Sequence, residues 1–155
     1  MTRTLSPAGA VARGLLAGAT GTALMTAAQT AYYKATGSES SSTPAEVGKR
    51  IITGVLQREV PEGSENALNT GMHVLYGTSW GVPYGIVSGS HDSPQPVVRS
   101  AVKFGVAVWG ASLVQLPAMQ LAPPVWEYDP KSLVPDVGFH IVYGLGAALA
   151  FRALR

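Results

Sequence analysis

Residues Gly71-Met72-His73-Val74-Leu75-Tyr76-Gly77 and Gly138-Phe139-His140-Ile141-Val142-Tyr143-Gly144 carry Gly, His, Tyr and Gly in the same order, 67 residues apart. One residue pair upstream extends the match: Asn69 precedes the first copy where Asp136 precedes the second. A weaker echo sets Gly21-x-x-Leu24 against Gly110-x-x-Leu113. The chain therefore reads as two copies of one unit, and the fold follows from what each copy contains.

Each copy holds two apolar stretches. Hydrophobic residues make up 46% of the 155 and charged residues only 13%, about half the charged share of an ordinary soluble domain. A bilayer core takes about 20 mostly apolar residues per helix. Four stretches meet that length: about 8–33, about 68–87 interrupted by Pro83, about 98–121 with Gln115 and Pro117, and about 134–154. None of these windows carries the charged outer face of a soluble amphipathic helix. The reading is an all-α membrane protein of four transmembrane helices in a single domain, repeat one about 8–90 and repeat two about 98–155. Two spans per copy preserve orientation, so a pseudo-twofold axis along the membrane normal relates the hairpins. Arg3 and Arg13 ahead of Thr26-Ala27-Ala28 resemble a signal peptide, yet the repeat requires this first helix, and cleavage is not expected.

Charges sort with the spans. Arg3, Arg13, Arg99, Lys103, Arg152 and Arg155 fall on one side, with Asp92 as the only acid. Five cations and eight acids, Asp129 and Asp136 among them, fall on the other. The positive-inside rule then puts both termini in the cytoplasm of a bacterial inner membrane. In the first connection, Thr43-Pro44-Ala45-Glu46 has the form of a capping box opening a helix, with Thr43 as cap and Pro44 at the first helical position. Val47, Ile51, Val55 and Leu56 would form its apolar face, giving an amphipathic interfacial helix.

Polar residues recur at helical spacing inside spans two and four. Asn69, His73 and Tyr76 share one face, as do Asp136, His140 and Tyr143. Polar side chains in lipid turn toward other helices or water, so the two stripes should meet at one level. Gly77, Gly81, Gly85 and Gly89 recur every fourth residue, and Gly14 and Gly18 form a GxxxG pair. Such strips let helix backbones approach closely.

The run Pro117-x-Met119-x-Leu121-x-Pro123-Pro124-Val125-Trp126-Glu127, followed by Gly138-Phe139-His140, resembles the closing region of the YagU-like bacterial inner-membrane family. His73-Val74-Leu75-Tyr76 with Trp80, Val82 and Tyr84 is similar to an earlier span of that family. About half the chain is covered, and the Gly-Phe-His order departs from the family's closing Gly-His pair. The resemblance implies an integral inner-membrane protein of a group with no settled activity.

Several chemistries are excluded. The chain has no cysteine, so disulfides, thiolate metal sites and cysteine nucleophiles are out. No phosphate loop, HExxH or GxSxG occurs, and a net charge of +2 gives no reason to expect nucleic acid. No serine or threonine has the neighbours of a nucleophile, and no enzyme is expected. The leading reading is a small packing or accessory subunit in the lipid bilayer, associated with copies of itself or a larger membrane protein. Two alternatives use the histidines: a proton or small-solute path lined by His, Asp, Asn and Tyr, or haem b held between His73 and His140 with Asn69 and Asp136 as supporting partners.

Overall fold

The computed structural model describes residues 4–91 and 95–155. Arg3 and Asp92, both used in sorting the charges, lie outside the described residues. Within them the chain is all-helical and has no strand: α1 (Pro7–Thr36), α2 (Thr43–Gly54), α3 (Glu65–Gly89), α4 (Val97–Ala118) and α5 (Pro130–Leu154), with a 3-10 turn at Val125–Glu127. Two of these, α4 and α5, are long and apolar enough to cross a membrane. The 30-residue α1 and 25-residue α3 have the length. Their glycine, alanine and threonine dilute the apolar character.

Local chemistry sets the helix ends. Ser6 caps α1 by accepting from the Gly9 amide at 3.2 Å, and Pro7 takes the first helical position. Gly37, at φ 69°, turns left-handed and donates its N–H to Tyr33 to close the helix, the conformation glycine adopts without steric cost. Asp129 caps α5 by accepting from Lys131, with Pro130 following it. The helix therefore starts about a turn before the apolar run that marks it in the sequence. Gln120, at φ 58°, ends α4 in the same left-handed way, just short of the expected boundary.

α1 packs on both α3 and α5, α4 packs on α5, and α2 packs on α3. The α1–α3 crossing is backbone on backbone. A Cβ on Gly81 would land on the Gly14 carbonyl oxygen, and one on Gly18 would stand 2.7 Å from the Thr78 carbonyl oxygen and 2.8 Å from that of Gly77. Gly77 faces Thr22, Gly85 faces the Ala10 carbonyl, and Gly89 meets Ala10 and Leu5. All six glycines of the two strips thus serve one intrachain crossing. The α4–α5 crossing repeats the device: Gly144 lies against the Ala101 carbonyl and Gly105 against that of His140. Gly77 and Gly144, equivalent in the repeat, hold equivalent places.

The pseudo-symmetry is incomplete. α1 approaches α5 closely because Gly21 faces the Tyr143 carbonyl and Gly146 faces Gly21. The counterpart seam, α3 against α4, is bridged by side chains: Tyr76 to Gln115, Tyr84 to Ser100, and the Tyr84 and Phe104 rings with centroids 4.5 Å apart. The Gly21/Gly110 echo also fails as a structural equivalence, since Gly110 faces open space. Two apolar clusters stack along the bundle, one around Ala17, Tyr84, Ala147 and Phe151, the other around Met25, Val108, Phe139 and Tyr143. Phe104 touches both.

α2 departs most from its expected form. Thr43 is already helical, Ser42 occupies the cap without a side-chain bond, and Glu46 turns to Lys49. The free amide of Ala45 is instead satisfied from outside the helix by Asn69 Oδ1 at 3.0 Å, while Asn69 Nδ2 donates to the Ser41 carbonyl at 3.2 Å. A cap supplied by a helix that is already placed competes successfully with a flexible glutamate. The packing face is also not the apolar one. Ala45 and Gly48 are buried, Gly48 against Leu68 and Met72, whereas Ile51, Val55 and Leu56 point outward. Small residues let α2 lie close on α3, which leaves the larger side chains on the far face.

Lys49 also bonds Glu65 at 2.7 Å. That contact, with Glu46 adding to it, raises the Lys49 pKa, and Lys49 lowers that of Glu65. Glu65 thus contributes to docking above the ordinary carboxylate range and loses that contribution as pH falls through its depressed value. Lys49 contributes below the ordinary lysine range and loses it as pH rises through its raised value. The pair is intact across neutral pH. Both groups are solvated, so Asn69 is the stronger tie. Asn69→Ala should cost about 1–2 kcal/mol, as for loss of a helix cap, and limited proteolysis should then cut within 37–64 while α3 stays protected.

Candidate functional site

The matched stripes lie at the end of the bundle away from the arginines, where α3, α4 and α5 come together. Tyr143 of the second stripe reaches the carbonyl of Gly77, the residue that follows Tyr76 of the first. What each residue does there differs between the copies.

In the second copy the polar groups are mutually satisfied. His140 Nδ1 stands 2.8 Å from the Asp136 carbonyl. A carbonyl only accepts, so Nδ1 carries the proton and Nε2 is the free acceptor of the neutral ring. The Asp136 carboxylate lies 3.6 Å from the same nitrogen and accepts the Trp109 indole N–H of α4 at 2.9 Å. Tyr143, 2% exposed, crosses the bundle and donates its hydroxyl to the Gly77 carbonyl at 2.6 Å. A side chain of α5 thereby fastens the second hairpin to α3 of the first. Beyond the helix end, burial and then Asp136 raise the pKa of Tyr128.

The first copy spends the same residues elsewhere. Asn69 is drawn off to α2 and leaves His73, whose Nε2 is buried with no hydrogen-bond partner. Tyr76 turns sideways and donates to Gln115 of α4 at 2.8 Å. Gln115 in turn lies 3.9 Å from the Met119 sulfur. The residues brought together are therefore His73, His140, Asp136, Tyr76 and Tyr143, joined by Trp109 and Gln115. Asn69 is not among them.

Trp109 and Gln115 are what sequence reasoning missed as site residues. Each carried a signal: a glutamine in an apolar span needs a partner, and Trp109 sits mid-span rather than in an interfacial belt.

The geometry bears on what this cluster can hold. A haem held between His73 and His140 is expected to have Asp136 and Asn69 as supporting partners. The second supporting partner, Asn69, is committed to α2. Among the described residues no group of three or more His, Cys, Asp and Glu is arranged to hold a metal ion. The arrangement is that of a polar clamp, with four helix-to-helix or side-chain-to-backbone bonds and one orphaned imidazole nitrogen. No family model, curated protein or solved structure matches the chain, so the YagU-like likeness rests on its motifs alone.

Proposed function

We propose that the protein is a small, non-catalytic integral membrane subunit of YagU-like type, with α1, α3, α4 and α5 all crossing the bilayer and both termini in the cytoplasm. One observation carries this reading: the bundle leaves large apolar side chains on its outer surface while polar groups within its helices pair with neighbouring helices. The hydroxyls of Tyr76 and Tyr143 and the Asp136 carboxylate are each bonded across to another helix. The branched side chains Val98, Val114, Val134, Leu75 and Val87 turn outward, each at least 60% exposed. Only 17% of the apolar stretch of α4 and 39% of that of α5 is buried. A core helix of a soluble protein would be mostly buried; lipid explains the difference. Trp126, 80% exposed in the α4–α5 connection, and the outward Ile51, Val55 and Leu56 of α2 suit a membrane interface.

Packing is the role that fits because the polar stripe is used up in holding helices together. The partner, a second copy or a larger membrane protein, would meet the outer face of α4, where Val98, Val102, Val106 and Val114 are exposed. Since the chain has no cysteine, single cysteines report topology directly. A membrane-impermeant maleimide should label Ser40→Cys in intact spheroplasts, and should label Thr4→Cys and Ala153→Cys only after permeabilisation. Recovery of the protein in an alkaline-extracted soluble fraction would sink the reading.

A second reading is favoured by the orphaned Nε2 of His73: a proton path through the histidine pair. The two readings separate on one variant. His73→Ala/His140→Ala should leave a packing subunit folded and functional, while a conductor would lose pH-driven flux in liposomes. The same preparations answer for haem. No Soret band is expected from the purified protein, and one that vanished in the double variant would replace the packing reading with a haem clamp.

A further inference from the structure

The opposite end of the bundle holds a small recess that the packing role does not use. It lies between the last turns of α3 and α5 and the first turn of α4, with Tyr84 and Phe151 as its floor and Ser88, Gln95, Ser100 and Arg152 around it. Its room of about 20 Å³ admits one water-sized group.

Four observations converge on it. Ser88 is only 9% exposed, lines the recess, and its hydroxyl has no hydrogen bond among the described residues. Ser100 and Tyr84 share one bond of 2.9 Å, which leaves one of their two hydroxyl protons to give. Arg152 faces the recess and forms no ion pair or hydrogen bond among the described residues. The first turn of the 22-residue α4 has no side-chain cap and no acidic residue, and Pro96 precedes it. Its leading amides are therefore donors without a side-chain acceptor among the described residues. Arg155 stiffens the wall, donating to the Ser88 carbonyl at 3.1 Å and to that of His91. Among the described residues that line the recess none is acidic.

We infer that this recess is a phosphate site: it takes one phosphate oxygen at Ser88 and Ser100, with the rest of the group at the mouth against Arg152 and the α4 amides. Its size excludes an engulfed nucleotide. It suits a phosphate tethered outside, as in the headgroup of an anionic phospholipid whose chains lie along Val98 and Val102 of α4. The lipid assignment rests on the membrane reading, whereas the phosphate site does not.

The test uses the full chain in uncharged detergent, free of phosphate. Dihexanoyl phosphatidylglycerol, the phosphate-free lipid dihexanoylglycerol and inorganic phosphate are compared by native mass spectrometry and thermal shift. Phosphatidylglycerol should be retained at least about tenfold better than dihexanoylglycerol, the difference one charge-assisted fork makes. Arg152→Gln and Ser88→Val should each remove that preference, and Arg99→Gln, at the same end but outside the recess, should keep it. If Arg152→Gln fails to fold, Arg152→Lys replaces it and should bind with intermediate strength. Stabilisation by inorganic phosphate alone, lost in Arg152→Gln, would keep the phosphate site and overturn the lipid as its occupant. Equal retention of both lipids, or equal loss in Arg99→Gln and Arg152→Gln, would overturn the site itself. A chain that proves soluble without detergent refutes the membrane reading and still allows the inorganic phosphate arm.

Discussion

Gly81→Val is expected to abolish the bundle. The first atom of the new side chain would coincide with the Gly14 carbonyl oxygen and would stand 2.8 Å from the Gly18 amide nitrogen. Both obstacles are backbone in the middle of α1, so no rotamer relieves them, and α1 and α3 must separate along the whole crossing. Overpacking that a side chain can absorb costs about 1–3 kcal/mol; here the cost should exceed that range, because the crossing is lost with the clash. Thermal unfolding in detergent should show no cooperative transition. The control is Gly110→Ala, on the outer side of α4 with nothing within 4 Å. That change should be neutral or gain up to about 1 kcal/mol from helix propensity. If both variants unfold like the parent, helix association does not depend on backbone contact, and the account of the fold given above is wrong.

The second large effect is expected at Tyr143. Its ring is fully enclosed and packs on Phe104 with centroids 5.4 Å apart. Tyr143→Ala should cost about 3–5 kcal/mol, the range for emptying a buried aromatic site. Tyr143→Phe keeps the ring and removes only the bond to the Gly77 carbonyl, so about 0.5–1.5 kcal/mol is expected. Tyr76→Phe makes a useful comparison. Its hydroxyl reaches Gln115 across the wider α3–α4 seam, so a similar small loss should appear without any effect on the α1–α5 contact. Unfolding monitored by tyrosine and tryptophan absorption distinguishes all three. A Tyr143→Ala variant as stable as Tyr143→Phe would mean that the ring does not fill the centre.

The sequence alone located the helices and their turns with fair accuracy, because Pro, Gly and Asp mark ends through local bonds that neighbours do not override. Pro130, Gly37 and Pro44 are such marks. The repeat also marked out the residues Asp136, His140, Tyr76 and Tyr143, each of which is engaged in a hydrogen bond. What it could not supply was the use of each group. Asn69 and Asp136 sit at matched positions, yet one leaves for α2 and the other stays with its histidine, because α2 has no counterpart in the second copy. Tyr76 and Tyr143 diverge for a related reason: the seam on one side is closed by Gly21 and Gly146, and that on the other is held apart by Phe104 and Tyr84. The face by which α2 seats on α3 has no apolar signal in the sequence: close approach to another helix selects the small residues Ala45 and Gly48. These are choices among long-range contacts, and single-helix periodicity carries no record of them.

The close seat of α1 against α5 also dictates a timetable. The first helix to be made keeps one flank, at Gly21, waiting for a carbonyl that belongs to the last helix, with more than a hundred residues of chain still to be synthesised between them. The first hairpin can close on its own glycines, but it must persist half-finished, with Gly21 uncovered, until Tyr143 arrives. A ribosome stalled before the final helix would therefore release a species marked by that bare groove, and quality-control proteases that survey helix surfaces would have a specific place to recognise it.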